Sequence, residues 1–128
     1  MFTTIVGNAI LNAYLKGTVP EIPADWDISL HTGAPGQDGS NEVAAGGFSY
    51  ERKEPTLGAV SSKSCTTTVA LEWSNMPAET VTHIGLWGYI DSNWVFIWGS
   101  ALDDSKAVPE GETFRLPIGE VDFDLDPA

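Results

Sequence analysis

Apolar residues recur at Ile5, Val6, Ala9, Ile10 and Ala13, the helical period of about 3.6 residues, and Leu11 and Leu15 widen the stripe. This spacing predicts a helix over 3–16, with Thr3 or Thr4 as the cap whose hydroxyl accepts from a free first-turn N–H. Gly17 supplies the left-handed residue that ends it, and Pro20 and Pro23 forbid continuation. After Pro23 the period changes to two. Trp26, Ile28 and Leu30 alternate with Asp27, Ser29 and His31, as in a half-buried strand. Short strands are expected at 48–53, 57–60 and 66–73, the last with Val69, Leu71 and Trp73 on one side. A hairpin is predicted from Val81–Ile90 and Asn93–Ser100, because Asp91 and Ser92 leave the two-residue gap of a tight turn. Within it Trp94, Phe96 and Trp98 are expected on one face and Val95 and Ile97 on the other. The closing strands read as 113–116 and 120–125, where Val121, Phe123 and Leu125 alternate with Asp122, Asp124 and Asp126.

Roughly seven to nine short strands between Gly and Pro punctuation predict a mainly β fold, an antiparallel β-sandwich or jelly-roll-like architecture, with one short N-terminal α-helix. The reading is one domain over 1–128, with the helix at 3–16 and the β-sandwich at 24–128. The longest structureless stretch runs from Gly33 to Gly47, and its polar residues Asp38, Ser40, Asn41 and Glu42 form a candidate mobile or contact loop.

Composition then narrows the functional classes. Eighteen Asp and Glu against six Lys and Arg give the 128 residues a formal charge of -12. Such a chain repels phosphate backbones and anionic lipid, so nucleic-acid binding is not expected. No apolar run reaches the ~18 residues of a membrane span, and no basic, cleavable leader precedes the first apolar stretch. Membrane insertion is therefore not expected. The lone Cys65 can form no internal disulfide and reads as an inert thiol.

Candidate chemistry is thin. His31 and His83 lie in strand patterns; a Ser-His-Asp set drawn around His83 has no nucleophile elbow to support it. Glu72 beside Trp73 is the most suggestive acid, yet alternation alone puts a carboxylate outside and an indole inside. Same-face acids of the 120–126 ladder stand about 7 Å apart, too far to close a calcium sphere alone. The glycines of 33–47 lack the Lys-Ser/Thr and helix of a phosphate loop. No catalytic, metal or cofactor-binding residue is assigned. Five tryptophans exceed what so small a core holds, so Trp87, Trp94, Phe96 and Trp98 are assigned to a subunit interface; a sugar-stacking platform is the alternative use.

Several segments stand in a recognisable order. Leu11-Asn12-Ala13-Tyr14-Leu15-Lys16-Gly17-Thr18 leads into Ile28-Ser29-Leu30-His31-Thr32-Gly33-Ala34-Pro35-Gly36. Asp38-Gly39-Ser40-Asn41-Glu42-Val43 and Tyr50-Glu51-Arg52 follow. Asn75-Met76-Pro77-Ala78 then precedes Val81-Thr82-His83-Ile84-Gly85-Leu86-Trp87, and Gly111-Glu112-Thr113-Phe114-Arg115-Leu116-Pro117 comes near the end. From about residue 8 to 125 this order resembles a family of small bacteriophage structural proteins labelled tail fibre or minor tail protein. The resemblance implies a non-enzymatic virion component, assembled in the host cytoplasm, that contacts itself and other phage structural proteins. A homo-oligomer such as a trimer is expected. Capsid decoration and recognition of a host surface glycan are the alternative roles.

Overall fold

The computed structural model describes residues 1–125. Helix α1 (Thr4–Lys16) forms where the periodicity places it, and Gly17 closes it at φ 68°. Its cap differs from expectation. The Thr3 hydroxyl donates to the carbonyls of Phe96 and Ile97 instead of accepting from the first turn. Gln37 serves the helix end instead, its Oε1 accepting from the Thr4 N–H at 2.8 Å.

All strand pairing is antiparallel. Strands β1 (Trp26–His31), β4 (Glu79–Ile90) and β5 (Asn93–Val108) make one sheet in the order β1-β4-β5. Two short ladders complete the set, β2 (Ser64–Thr66) with β7 (Asp122–Asp124), and β3 (Leu71–Trp73) with β6 (Phe114–Leu116). Ile28, Leu30, Ile84, Leu86 and Trp98 on the sheet belong to one buried cluster with Leu71, Trp73, Phe114, Leu116 and Phe123 from the ladders. Trp98 meets Phe123 edge-on at 4.5 Å, joining the sheet to the β2–β7 ladder. A mainly β fold with one short helix is what the sequence pattern predicts.

The local corrections have physical causes. Residues 66–73 do not form one strand. Thr67 is buried between the ladders, bonding its N–H to Val121 and its carbonyl to Gly119, so the chain changes partners and Val69 turns outward. Segments 48–53 and 57–60 contribute single bridges, Ile28 with Lys53 and Leu57 with Thr67; other backbone groups there bond elsewhere, the Phe48 N–H to Ala45, the Ser49 N–H to Asn75, the Glu51 carbonyl to the Trp73 indole and the Gly58 carbonyl to the Cys65 thiol. The hairpin turn holds Asp91 and Ser92 both at positive φ, 53° and 63°, the twist that suits a two-residue connection. β5 then runs past Ser100 to Val108, interrupted by an excursion between Ala101 and Lys106 opposite Thr82. In the last strand Phe123 points inward, whereas Leu125 is exposed; Asp126 lies outside the described residues.

A bulge governs the tryptophans. Leu86 pairs with Trp98 but Trp87 pairs with Phe96, leaving Ile97 as an extra residue. The insertion reverses the alternation, as a one-residue slip must. Phe96 therefore stays on the outer face with Trp87, while Trp98 enters the core beside Leu86. The expected single face of Trp94, Phe96 and Trp98 does not form.

Candidate functional site: the outer face of the sheet and its covering loop

Alternation along β1 aims Ser29 and His31 away from the main core, a face that usually meets water. Here both are fully buried, because the 33–47 loop folds over them. The polar atoms form one directed chain. The Ser40 carbonyl can only accept, so the His31 Nδ1 2.8 Å away carries the imidazole proton. Nε2 is then an acceptor, and the Ser29 hydroxyl donates to it at 2.7 Å. The Ser29 oxygen in turn receives the Trp87 indole N–H at 2.9 Å. Burial is the main influence on His31 and holds its pKa below the ordinary 6.5, against the Ser40 bond and the charge of Glu42. The imidazole is neutral, as the bonding requires.

Two small residues permit this closeness. A Cβ on Gly85 would stand 2.5 Å from Phe96, 2.8 Å from Ser29 Oγ and 2.9 Å from His31 Nε2. Gly39 sits on the Trp87 ring, where a Cβ would come within 2.4 Å, and its φ of +81° also favours glycine. Loop and sheet thus meet backbone to ring.

Glu42 clamps the far end of the loop. It takes two bonds from Arg52, at 3.0 Å from Nε and 2.8 Å from Nη2, and one from the Tyr50 hydroxyl at 2.7 Å. The Tyr50 oxygen also accepts from the Leu30 N–H at 3.0 Å. The largest influence on Glu42, burial, would raise its pKa; the combined Arg52 and Tyr50 bonds and the Arg52 charge outweigh it and leave the carboxyl below the ordinary 4.5. Burial pushes the Tyr50 phenol strongly upward, with the Glu42 charge adding to it. Arg52 also lies over Trp87, its Cζ 3.8 Å from the ring centre. At Asp27, directly opposite Trp87 across the strands, burial raises the pKa against the pull of Arg52.

The expected contact loop is thereby placed residue by residue. Asp38 Oδ1 receives the Ser40 N–H and hydroxyl, the Ser40 carbonyl serves His31, Asn41 Nδ2 donates to the Ala34 carbonyl, and Glu42 holds Arg52. The loop is a lid bonded to β1 through Ser40 and to the 50–52 segment through Glu42. Of the four rings assigned to an interface, Phe96 and Trp98 are buried inside the protomer at 3% and 2% exposure. Trp87 is half-buried between Arg52, Phe96 and Gly39. Trp94 alone is substantially exposed, at 40%, resting against Tyr89 with ring centres 5.2 Å apart.

The remaining candidates take ordinary positions. Glu72 meets Arg115 across the β3–β6 ladder at 3.3 Å, on the surface. His83 Nδ1 bonds the Thr82 hydroxyl, and the Cys65 thiol donates to the Gly58 carbonyl. Among the described residues no group of three or more His, Cys, Asp or Glu side chains is placed to hold a metal ion. No described helix is long and apolar enough to cross a membrane. Sequence reasoning missed the Ser29–His31 chain. Its signal is the i, i+2 spacing on a strand, which becomes informative only once a loop is known to cover that face.

Ser29 and His31 resemble a nucleophile and its base, yet the imidazole's other nitrogen is committed to a backbone carbonyl and no surface of either residue reaches solvent. What the network does is fasten a loop to a sheet. These features define a small β structural module. The model of the family described as Podophage GP4 fiber I protein gp80 matches residues 1–124, and the chain belongs to that family of phage fibre proteins. No curated protein matches it.

Proposed function

We propose that this chain is a non-enzymatic component of a phage tail fibre, assembled in the host cytoplasm into a homo-oligomer that joins other structural proteins of the virion. The family's description as a fibre protein supports the structural role. The observation that carries the assembly reading is Trp94, a large ring left 40% exposed on Tyr89 at the tip of the longest hairpin. Rings in such positions are enriched where proteins meet. Trp94→Ala is expected to weaken self-association by about 2 kcal/mol, roughly 30-fold, while leaving thermal stability within a degree or two. Sedimentation equilibrium reads both the species and its dissociation constant; an unchanged constant refutes the contact.

A glycan-binding reading is favoured by a different feature of the same strip. Trp94 offers an exposed ring for stacking, and farther along the strip Asp27 and the Arg52 guanidinium that covers Trp87 supply polar groups for hydroxyls. Glycan-array binding that disappears in Trp94→Ala, with the oligomer intact, would favour this role over the first.

A further inference from the structure

Helix α1 buries none of its residues. A helix of this length is marginal in water unless an apolar face is covered. Here the chain anchors it at both ends, and between them the inner face of Val6, Ala9, Ile10 and Ala13 is only half-buried, with Val6 alone among the helix residues packed against the core. Before it, the Thr3 N–H donates to the Ile97 carbonyl and Phe2 bridges to Trp98 on the edge of β5. After it, the backbone of Ala24 and Asp25 pairs with Tyr89. Between these anchors runs an apolar groove of about 480 Å³, walled by Val6, Ile10 and Ala13 of α1, Ile22 of the following segment, and Ile90 and Ile97 of the sheet. Leu11 and Leu15, one turn apart on the helix, lie outside the groove and are 57% and 73% exposed. Leu11, Tyr14 and Leu15 of α1 and Val19 and Ile22 after it are all more than half exposed, large apolar side chains of the kind that mark a contact surface.

Charge points to the occupant. Residues 1–20 contain no Asp or Glu and one Lys or Arg, Lys16, in a chain of net charge -12, and the one carboxylate on the groove wall is Glu21. Two copies repel through most of their surfaces and approach here with little of that penalty, Lys16 beside the ridge being opposite in sign to Glu21 on the groove. Each copy also carries both halves of a contact, a ridge and a groove. We infer that the Leu11–Leu15 ridge of one copy enters the groove beneath α1 of the next. The contact joins two different patches, so it is heterologous, and successive copies close into a ring or extend as a filament. The inference rests on the reading of the chain as a self-assembling fibre component and names the surface that does it.

The test uses the full chain in sedimentation velocity across a concentration series, with circular dichroism on every variant. Leu15→Glu spoils the ridge and Ile22→Glu spoils the groove; both positions are well exposed, so both proteins should keep the wild-type spectrum and melt. Each is expected to weaken association at least ~100-fold, because it places an unpaired carboxylate in an apolar contact. Mixing the two restores one intact ridge–groove pair, so a dimer forms and nothing larger. A wild-type chain that stays a single protomer, a Leu15→Glu protein that assembles normally, or a mixture that stays monomeric overturns the inference. If Trp94→Ala dissociates the oligomer and Leu15→Glu does not, this surface is wrong and the Trp94 contact stands; the opposite result removes the Trp94 contact and keeps this one.

Discussion

Gly85→Ala is expected to lower stability by about 3 kcal/mol and the melting temperature by roughly 10 °C. The added methyl has no free direction. It meets the Phe96 ring at 2.5 Å on one side and the Ser29–His31 bond, at 2.8 and 2.9 Å, on the other. Moving Phe96 disturbs the edge contacts it makes with Trp87 and His31, at centroid distances of 5.1 and 5.9 Å. Moving Ser29 leaves the Trp87 N–H and the His31 Nε2 without partners inside the protein, and each orphaned group costs about 1–3 kcal/mol. Gly7→Ala is the control. It meets nothing within 4 Å at the end of the first turn of α1, and should gain a few tenths of a kcal/mol from helix propensity. Thermal denaturation of both variants checks the pair. A Gly85→Ala protein melting within two degrees of wild type would mean that the outer face is looser than described.

Acid should release the lid in two stages. His31 is kept neutral in the fold, with its pKa below 6.5, so the unfolded chain binds the proton first. Its contribution to stability is complete above 6.5 and declines as pH falls from there through the folded value. Glu42 is kept ionised, with its pKa below 4.5, so its contribution holds above 4.5 and is lost beneath it. Protonating His31 also puts a second proton on Nε2, which then cannot accept from Ser29, and the chain of bonds must reorganise. Falling pH acts oppositely through the net charge of -12, since neutralising surface carboxylates relieves repulsion. Comparison with His31→Gln separates the two effects. Between pH 7 and 5 the wild-type melting temperature should fall relative to that of the variant, and hydrogen exchange at the Thr32 and Val43 amides, which bond across the loop, should accelerate. Parallel curves for the two proteins would remove His31 as the origin. Below 4.5 both proteins should weaken together as Glu42 releases Arg52 and Tyr50.

The lid and the helix differ in how far their chemistry was visible beforehand. Tyr50 and Arg52 stand two apart, so extended chain directs both to one side; that they converge on Glu42 depends on the loop's return path. Asp38, Ser40, Asn41 and Glu42 read as a contact loop because they are polar among glycines, but the same side chains serve as well to satisfy the loop's own backbone and its neighbours. For α1 the pattern is accurate and its meaning is only half realised. Its apolar stripe suggests one covered face, whereas the structure half-buries Val6, Ala9, Ile10 and Ala13 along a groove and leaves Leu11 and Leu15, which widen the stripe, in open solvent.

Sequence by itself determined the local grammar. The helix ends at Gly17, the chain becomes β after Pro23, and the hairpin turns at Asp91 and Ser92, because backbone stereochemistry and side-chain period act over a few residues. Only the tertiary structure decided which aromatic rings were inside. One unpaired residue at Ile97 sends Trp98 into the core and leaves Phe96 beneath the loop, and no count of tryptophans registers a bulge. It also decided that Ser29 and His31 are sealed and that α1 is only half covered, since burial depends on what distant segments of the chain cover.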